Sequence, residues 1–123
     1  MAMMKLGAAA AVLAAQIEAA TGLRTYVNPE QCNVPCVLVA PGKVRVDRLD
    51  AETYEVDWSV YLVCADHGPI EVMDDLGDML ATVSAHLPVE EAEQVYVPMP
   101  GHSGAEMPGL MFKFTTEITP EEG

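Results

Sequence analysis

The sequence predicts an α+β fold: an antiparallel or mixed β-sheet of about four or five strands with two helices packed on one face. Three observations carry this. Two stretches, 3–21 and 69–87, repeat apolar residues at helical spacing. The segments around 34–49, 54–65, 92–99 and 110–119 are apolar runs or alternate with the two-residue period of a strand. The order helix, strands, helix, strands lacks the regular alternation that builds a parallel sheet. At 123 residues the chain has the length of one domain, and 1–123 is read as a single unit.

Met3 to Thr21 reads as the first helix. Leu6, Leu13, Ile17 and Ala20 recur at helical spacing, and alanine, the best intrinsic helix former, fills most of the rest. Gly22 is the residue type that commonly closes a helix just past its last turn. So little side chain stands on this helix that it can approach a sheet or a neighbouring subunit closely. Lys5 with the alanine run after it has the look of a signal peptide. The helical pattern continues past any cleavage point near Ala15, so a retained helix is expected.

Gly22 to Pro35 is a connection, with a short extended piece at Leu23, Tyr26 and Val27 and a turn at Asn28-Pro29. Val34 to Ala40 is a continuous apolar run bounded by Pro41-Gly42. It reads as a strand buried on both faces, or as an edge strand begun by Pro35. Lys43 to Leu49 alternates as a further strand, and 50–53 turns the chain. Tyr54 to Ala65 is the clearest strand, with Tyr54, Val56, Trp58, Val60, Leu62 and Cys64 on one face. Tyr61 and Val63 make the end of the opposite face apolar too, so a helix or another subunit is expected to cover it.

Pro69 to Leu87 reads as the second helix, with Ile70, Met73, Leu76, Leu80, Val83 and Leu87 as its apolar stripe. Glu71, Asp74, Asp75 and Asp78 lie in its first half, where they complement the positive end of the helix dipole. Ala92 to Met99 and Leu110 to Thr119 are the closing strands. In the latter, Leu110, Phe112, Phe114 and Ile118 face inward. Between them Pro98 to Gly109, with three prolines and three glycines, reads as an extended loop rather than strand. Pro120 to Gly123 reads as a flexible tail.

Acidic residues outnumber basic ones 19 to 6, for a net charge of −13. Affinity for nucleic acid comes mainly from Lys and Arg neutralising phosphates, so this balance argues against a DNA-wrapping protein. It is compatible with DNA sliding past a repelling wall, and equally with a generic soluble acidic protein. Three cysteines, an odd number, read as reduced thiols. Cys32 and Cys36 are spaced C-x3-C, which is neither the zinc nor the thioredoxin spacing. His67, His86 and His102 form no ligand pair, and His102 beside Ser103 in a loop is not a nucleophile–base arrangement. Asp74-Asp75 and Glu90-Glu91 are neighbours that point to different faces. No phosphate loop, dinucleotide fingerprint or calcium loop occurs. The expectation is no catalytic residue, no cofactor, no metal site and no membrane span.

One charge feature stands apart. Lys43, Arg45 and Arg48 are three of the six basic residues. They either pair with acidic surface on a second copy, setting its register, or pair within the chain with Asp47, Asp50 or Glu52. A small-molecule site on the face of Tyr61 and Val63 is a rival reading, and it would need a clustered buried polar set.

Gly22 to Tyr26 (GLRTY), Pro35 to Gly42 (PCVLVAPG), Asp57 to Val63 (DWSVYLV), the amphipathic helix after them and Leu110 to Ile118 (LMFKFTTEI) follow one another in a recognisable order. Together they resemble the tail-terminator and related neck proteins of siphoviruses, especially phages of actinobacteria. The resemblance spans nearly the whole chain and rests on element order and local character. It implies a structural virion protein with helices packed on a sheet and no catalytic residues. Such a protein forms a hexameric ring that caps the tail tube protein's finished tube and offers a surface to the head-neck connector (stopper) protein. DNA passes through its channel without sequence-specific binding. The place implied is the phage tail or neck, with assembly in the host cytoplasm. By the same analogy Met99, His102 and Met107, in the 98–109 loop, contact the tube or a neighbouring subunit, and Lys43, Arg45 and Arg48 contact a sister copy. A head-closure stopper or a tail-completion protein is the alternative within the same class.

Overall fold

The computed structural model describes residues 2–3, 6–31, 33–46, 54–100, 105–118 and 121–122. The elements are β1 (Ala2–Met3), α1 (Leu6–Thr21), β2 (Thr25–Tyr26), a 3-10 turn (Pro29–Gln31), β3 (Cys36–Val46), β4 (Tyr54–Val63), α2 (Pro69–Ser84), β5 (Glu93–Met99), β6 (Ala105–Ile118) and β7 (Glu121–Glu122). Five strands form one sheet in the order β2-β3-β4-β6-β5. β2 runs parallel to β3, and every other pairing in that sheet is antiparallel. This is the α+β architecture with a mixed sheet that the sequence predicts.

Both helices pack on one face. Ala10, Leu13, Ala14 and Ile17 of α1, and Val72, Leu76, Met79 and Val83 of α2, join Val37, Val39, Val56, Trp58, Val60, Leu62 and Phe112 in one buried cluster. The strand residues alternate, as the two-residue period requires. Val60 lies opposite Phe112 and Trp58 opposite Phe114, so large apolar side chains are cross-strand neighbours on β4 and β6. Trp58 is 1% exposed, and its indole N–H donates to Thr116 Oγ1 at 2.7 Å, which satisfies its one polar atom.

α1 begins at Leu6, later than the sequence pattern indicates; Ala2 and Met3 instead pair antiparallel with Glu122 and Glu121. The tail expected to be loose is therefore in part a two-residue strand. α1 closes as expected: Gly22 has φ +75°, and its N–H donates to Glu18 O at 2.8 Å. Ala20, expected on the core face, is exposed.

α2 presents a different stripe from the one the sequence suggests. Val72, Leu76, Met79 and Val83 are buried, whereas Ile70 is 66% and Met73 64% exposed. At 3.6 residues per turn, Ile70 lies roughly 160° around the helix from Val72 and cannot share its face. Counting from Ile70 moves the stripe sideways; Leu80 and Leu87 pack only at its margin.

Pro41-Gly42 does not end a strand. β3 runs on through it, with a register shift against β4 between Pro41 and Val44. The shift absorbs the proline as a bulge does. Gly42 fits because a Cβ there would meet Asp57 O at 2.8 Å.

The expected 98–109 loop is largely strand. Met99 pairs with Ala105, Val97 with Met107 and Val95 with Gly109, so β5 and β6 form a hairpin whose 101–104 tip lies outside the described residues. Its prolines sit where strands tolerate them. Pro98 is on the edge strand β5, and Pro108 lies one residue beyond the part of β6 that pairs with β4. Past the end of β4, Cys64 N–H still donates to Pro108 O at 3.2 Å.

This hairpin also covers the second face of the sheet. Val97 and Met99 join Cys36, Leu38 and Val63 in a second buried cluster, with Tyr61, Val95 and Met107 packed against it. Val63 is thus covered by the same chain's hairpin rather than by a helix, and Tyr61 packs half-buried beside it. Farther along β4 that face turns polar, with Ser59 and Asp57; Asp57 Oδ1 accepts from Thr115 Oγ1 at 2.8 Å.

Candidate functional site

Of the six residues expected at an interface, the four that are described do not form one cluster. Lys43 is exposed on β3 at the register shift. Arg45 sits opposite Glu55 in the β3–β4 ladder. Arg48 and His102 lie outside the described residues. Met99 is 0% exposed and Met107 half-buried, both in the second cluster. Within the chain these methionines pack the hairpin onto the sheet, because odd-numbered residues of β5 and β6 face inward there.

What the topology leaves open lies elsewhere. β6 is 14 residues long and β5 only 7. β4 pairs with β6 from Gly109 to Ile118, but β5 pairs with it only from Ala105 to Met111. From Phe112 to Ile118, β6 therefore has β4 on one side and, among the described residues, no strand on the other. Alternate residues of an antiparallel strand turn their N–H and C=O away from a given neighbour, so this edge turns backbone donors and acceptors away from β4 toward no strand among the described residues. The edge forms one wall of a groove of about 710 Å³, lined by Lys113, Phe114 and Thr115 and, opposite them, by Glu90, Glu91 and Glu93. β3 has a second partly open edge. β2 pairs with it only at Val37 and Leu38, so 39–46 has β4 on one side and no described strand on the other.

The two edges differ in charge. Segment 39–46 contains Lys43 and Arg45 and no acidic residue, while the β6 groove is flanked by glutamates. They also differ in regularity. β3 carries Pro41, Gly42 and a register shift, devices that natural sheets use to blunt an edge. Segment 112–118 has neither proline nor glycine, and its register against β4 is unbroken.

One titratable cluster lies near Cys64. His67 Nε2 is 3.0 Å from Asp75 Oδ2, and its Nδ1 is 2.7 Å from Ala65 O. Both ring nitrogens thus face acceptors, and neither is aimed as a base at the Cys64 thiol. Burial pushes the Cys64 pKa up, and the negative charges of Asp75 and Asp66 push it further, which disfavours the nucleophilic thiolate. Cys36 and Cys64 are both buried. Among the described residues, no group of His, Cys, Asp and Glu is arranged to hold a metal ion, and no helix is long and apolar enough to cross a membrane.

Fold and edges together define the chain as an α+β sheet domain with partly open edge strands. Compared with known proteins, it matches no protein-family model and no curated protein.

Proposed function

We propose that this chain is a structural assembly subunit that docks onto sister copies in a closed ring, in the manner of a phage tail terminator. The observation that carries this reading is the pair of partly open sheet edges of unlike charge. A patch on one subunit that meets a different patch on the next generates a ring when the rotation closes. The Lys43 and Arg45 segment of one copy facing Glu90, Glu91 and Glu93 of the next supplies such a contact, and charge complementarity sets its direction. The sequence resemblance supplies the rest of the proposal: a ring on the tail tube that meets the head-neck connector. A net charge of −13 suits a channel wall that DNA passes without adhering.

The test is negative-stain imaging of concentrated protein, with mass measured in solution. Annular particles are expected, and Lys43→Glu combined with Arg45→Glu should abolish them while the circular dichroism spectrum keeps its helical signal. If wild-type protein forms nothing larger than a dimer at any concentration, the ring reading fails.

A further inference from the structure

We infer that, off the ring, the open edge of β6 is covered by the same edge of a second copy, joining two five-stranded sheets into one through a twofold axis at Thr115. The inference starts from the sequence of that edge, Phe112-Lys113-Phe114-Thr115-Thr116-Glu117-Ile118. Paired antiparallel with itself about Thr115, this segment is self-complementary. Lys113 falls opposite Glu117 of the second copy, and the symmetry repeats that pair on the other side of the axis. Phe112 falls opposite Ile118, and Phe114 opposite Thr116. Cross-strand pairs of this kind are the unit of sheet stabilisation, and opposite charges directly across from one another are favourable. No other register centred in the segment places Lys113 against Glu117.

The fold adds a further argument. β5 begins at Glu93, opposite Met111, so a strand added alongside 112–118 is bounded where β5 starts. The edge is rich in aromatic and β-branched residues, and it lacks the proline, glycine and register shift that blunt β3. A twofold contact uses one surface on both partners and closes on itself. It also occupies the groove of the proposed ring contact, so the two would be alternative occupants of one edge.

The inference does not depend on the ring reading, and its test separates the two. Sedimentation equilibrium of dilute purified protein should give a species of twice the 13.2 kDa chain mass. Lys113→Glu and Glu117→Lys should each weaken dimerisation about tenfold or more, because each puts like charges opposite one another at both symmetry-related positions. The double variant K113E/E117K, which swaps the charges, should return to within about threefold of wild type. Lys113 is exposed and lies opposite Ser59, so its replacement leaves the fold intact, and a thermal melt of each variant verifies this. As an independent readout, Thr115→Cys should form an intermolecular disulfide under mild oxidation. Lys113→Cys, about four residues out of register with its own copy, should not. A wild-type monomer, a larger species with no dimer, a dimer indifferent to the charge swap, or equal cross-linking at 113 and 115 would each overturn the inference. Rings that form while the dimer test fails would leave the proposed function standing without it.

Discussion

Met99→Ala separates the structure's account of the hairpin from the sequence's. Met99 is 0% exposed and packs with Cys36, Leu38, Val63 and Val97, at the join between the β5–β6 hairpin and the second face of the sheet. Truncating a buried methionine to alanine costs about 2–5 kcal/mol, the transfer free energy of the lost atoms plus the cavity left behind. Full burial against strand residues that cannot collapse inward places this site near the middle of that range, at about 3 kcal/mol. In a chain of this length a loss of that size lowers the melting temperature by roughly 12 °C. Met107→Ala, at a half-buried position of the same cluster, should cost about half as much. The assay is urea unfolding followed by the fluorescence of Trp58, the single tryptophan, which is buried on the other face. It is run at several protein concentrations, because self-association adds stability by mass action. If M99A unfolds at the wild-type midpoint while association weakens, Met99 is a partner contact and the hairpin does not lie where the structure puts it.

Two further outcomes follow from single sites. Gly109→Ala places a Cβ 2.7 Å from Leu62 O, a backbone atom between paired strands, so β4 and β6 must part. A loss of about 1–3 kcal/mol is expected, more than the reduced freedom of the unfolded chain returns, and an unchanged urea midpoint would show that the strands are not so close. At Cys64 the folded state raises the thiol pKa from its ordinary 9.0, so folding favours the protonated form. The resulting stability is present below about pH 9 and is lost as pH rises through the higher folded pKa. Wild-type melting temperature should therefore fall more steeply above pH 9 than that of Cys64→Ala, and parallel pH profiles would refute the assignment.

The fold class was legible because two periods are written plainly in the chain. Tyr54 to Val60 alternates without interruption, and the alanine-rich stretch before Gly22 keeps its helical pattern throughout. Errors fell where a local signal met a tertiary constraint. Pro41-Gly42 looks like a terminator, but β4 alongside it holds β3 extended through a register shift. Pro98 and Pro108 look like loop chemistry, yet an edge strand and the stretch beyond the end of β4 tolerate residues that lack an N–H. In α2 the apolar residues exceed what one face can bury, so the sequence alone does not say that Val72 and Met79 win over Ile70 and Met73.

The candidate site was less legible. Lys43 and Arg45 were visible as a local excess of positive charge, and they do lie on a partly open edge. The open edge of β6 was not visible, because it results from a mismatch in length between two strands. The only hint was that the run before Met99 is shorter than the run after Gly109. The self-complementarity of 112–118 becomes meaningful only once that edge is known to be uncovered.

The most direct test of docking through this edge is amide hydrogen exchange across 112–118, followed as protein concentration is raised. Amides turned toward β4 should exchange slowly throughout, whereas the alternate amides turned away from β4 should exchange fast in dilute solution and become protected as copies associate. Exchange at those alternate amides that does not change with concentration, in protein that has demonstrably self-associated, would place the contact elsewhere on the molecule.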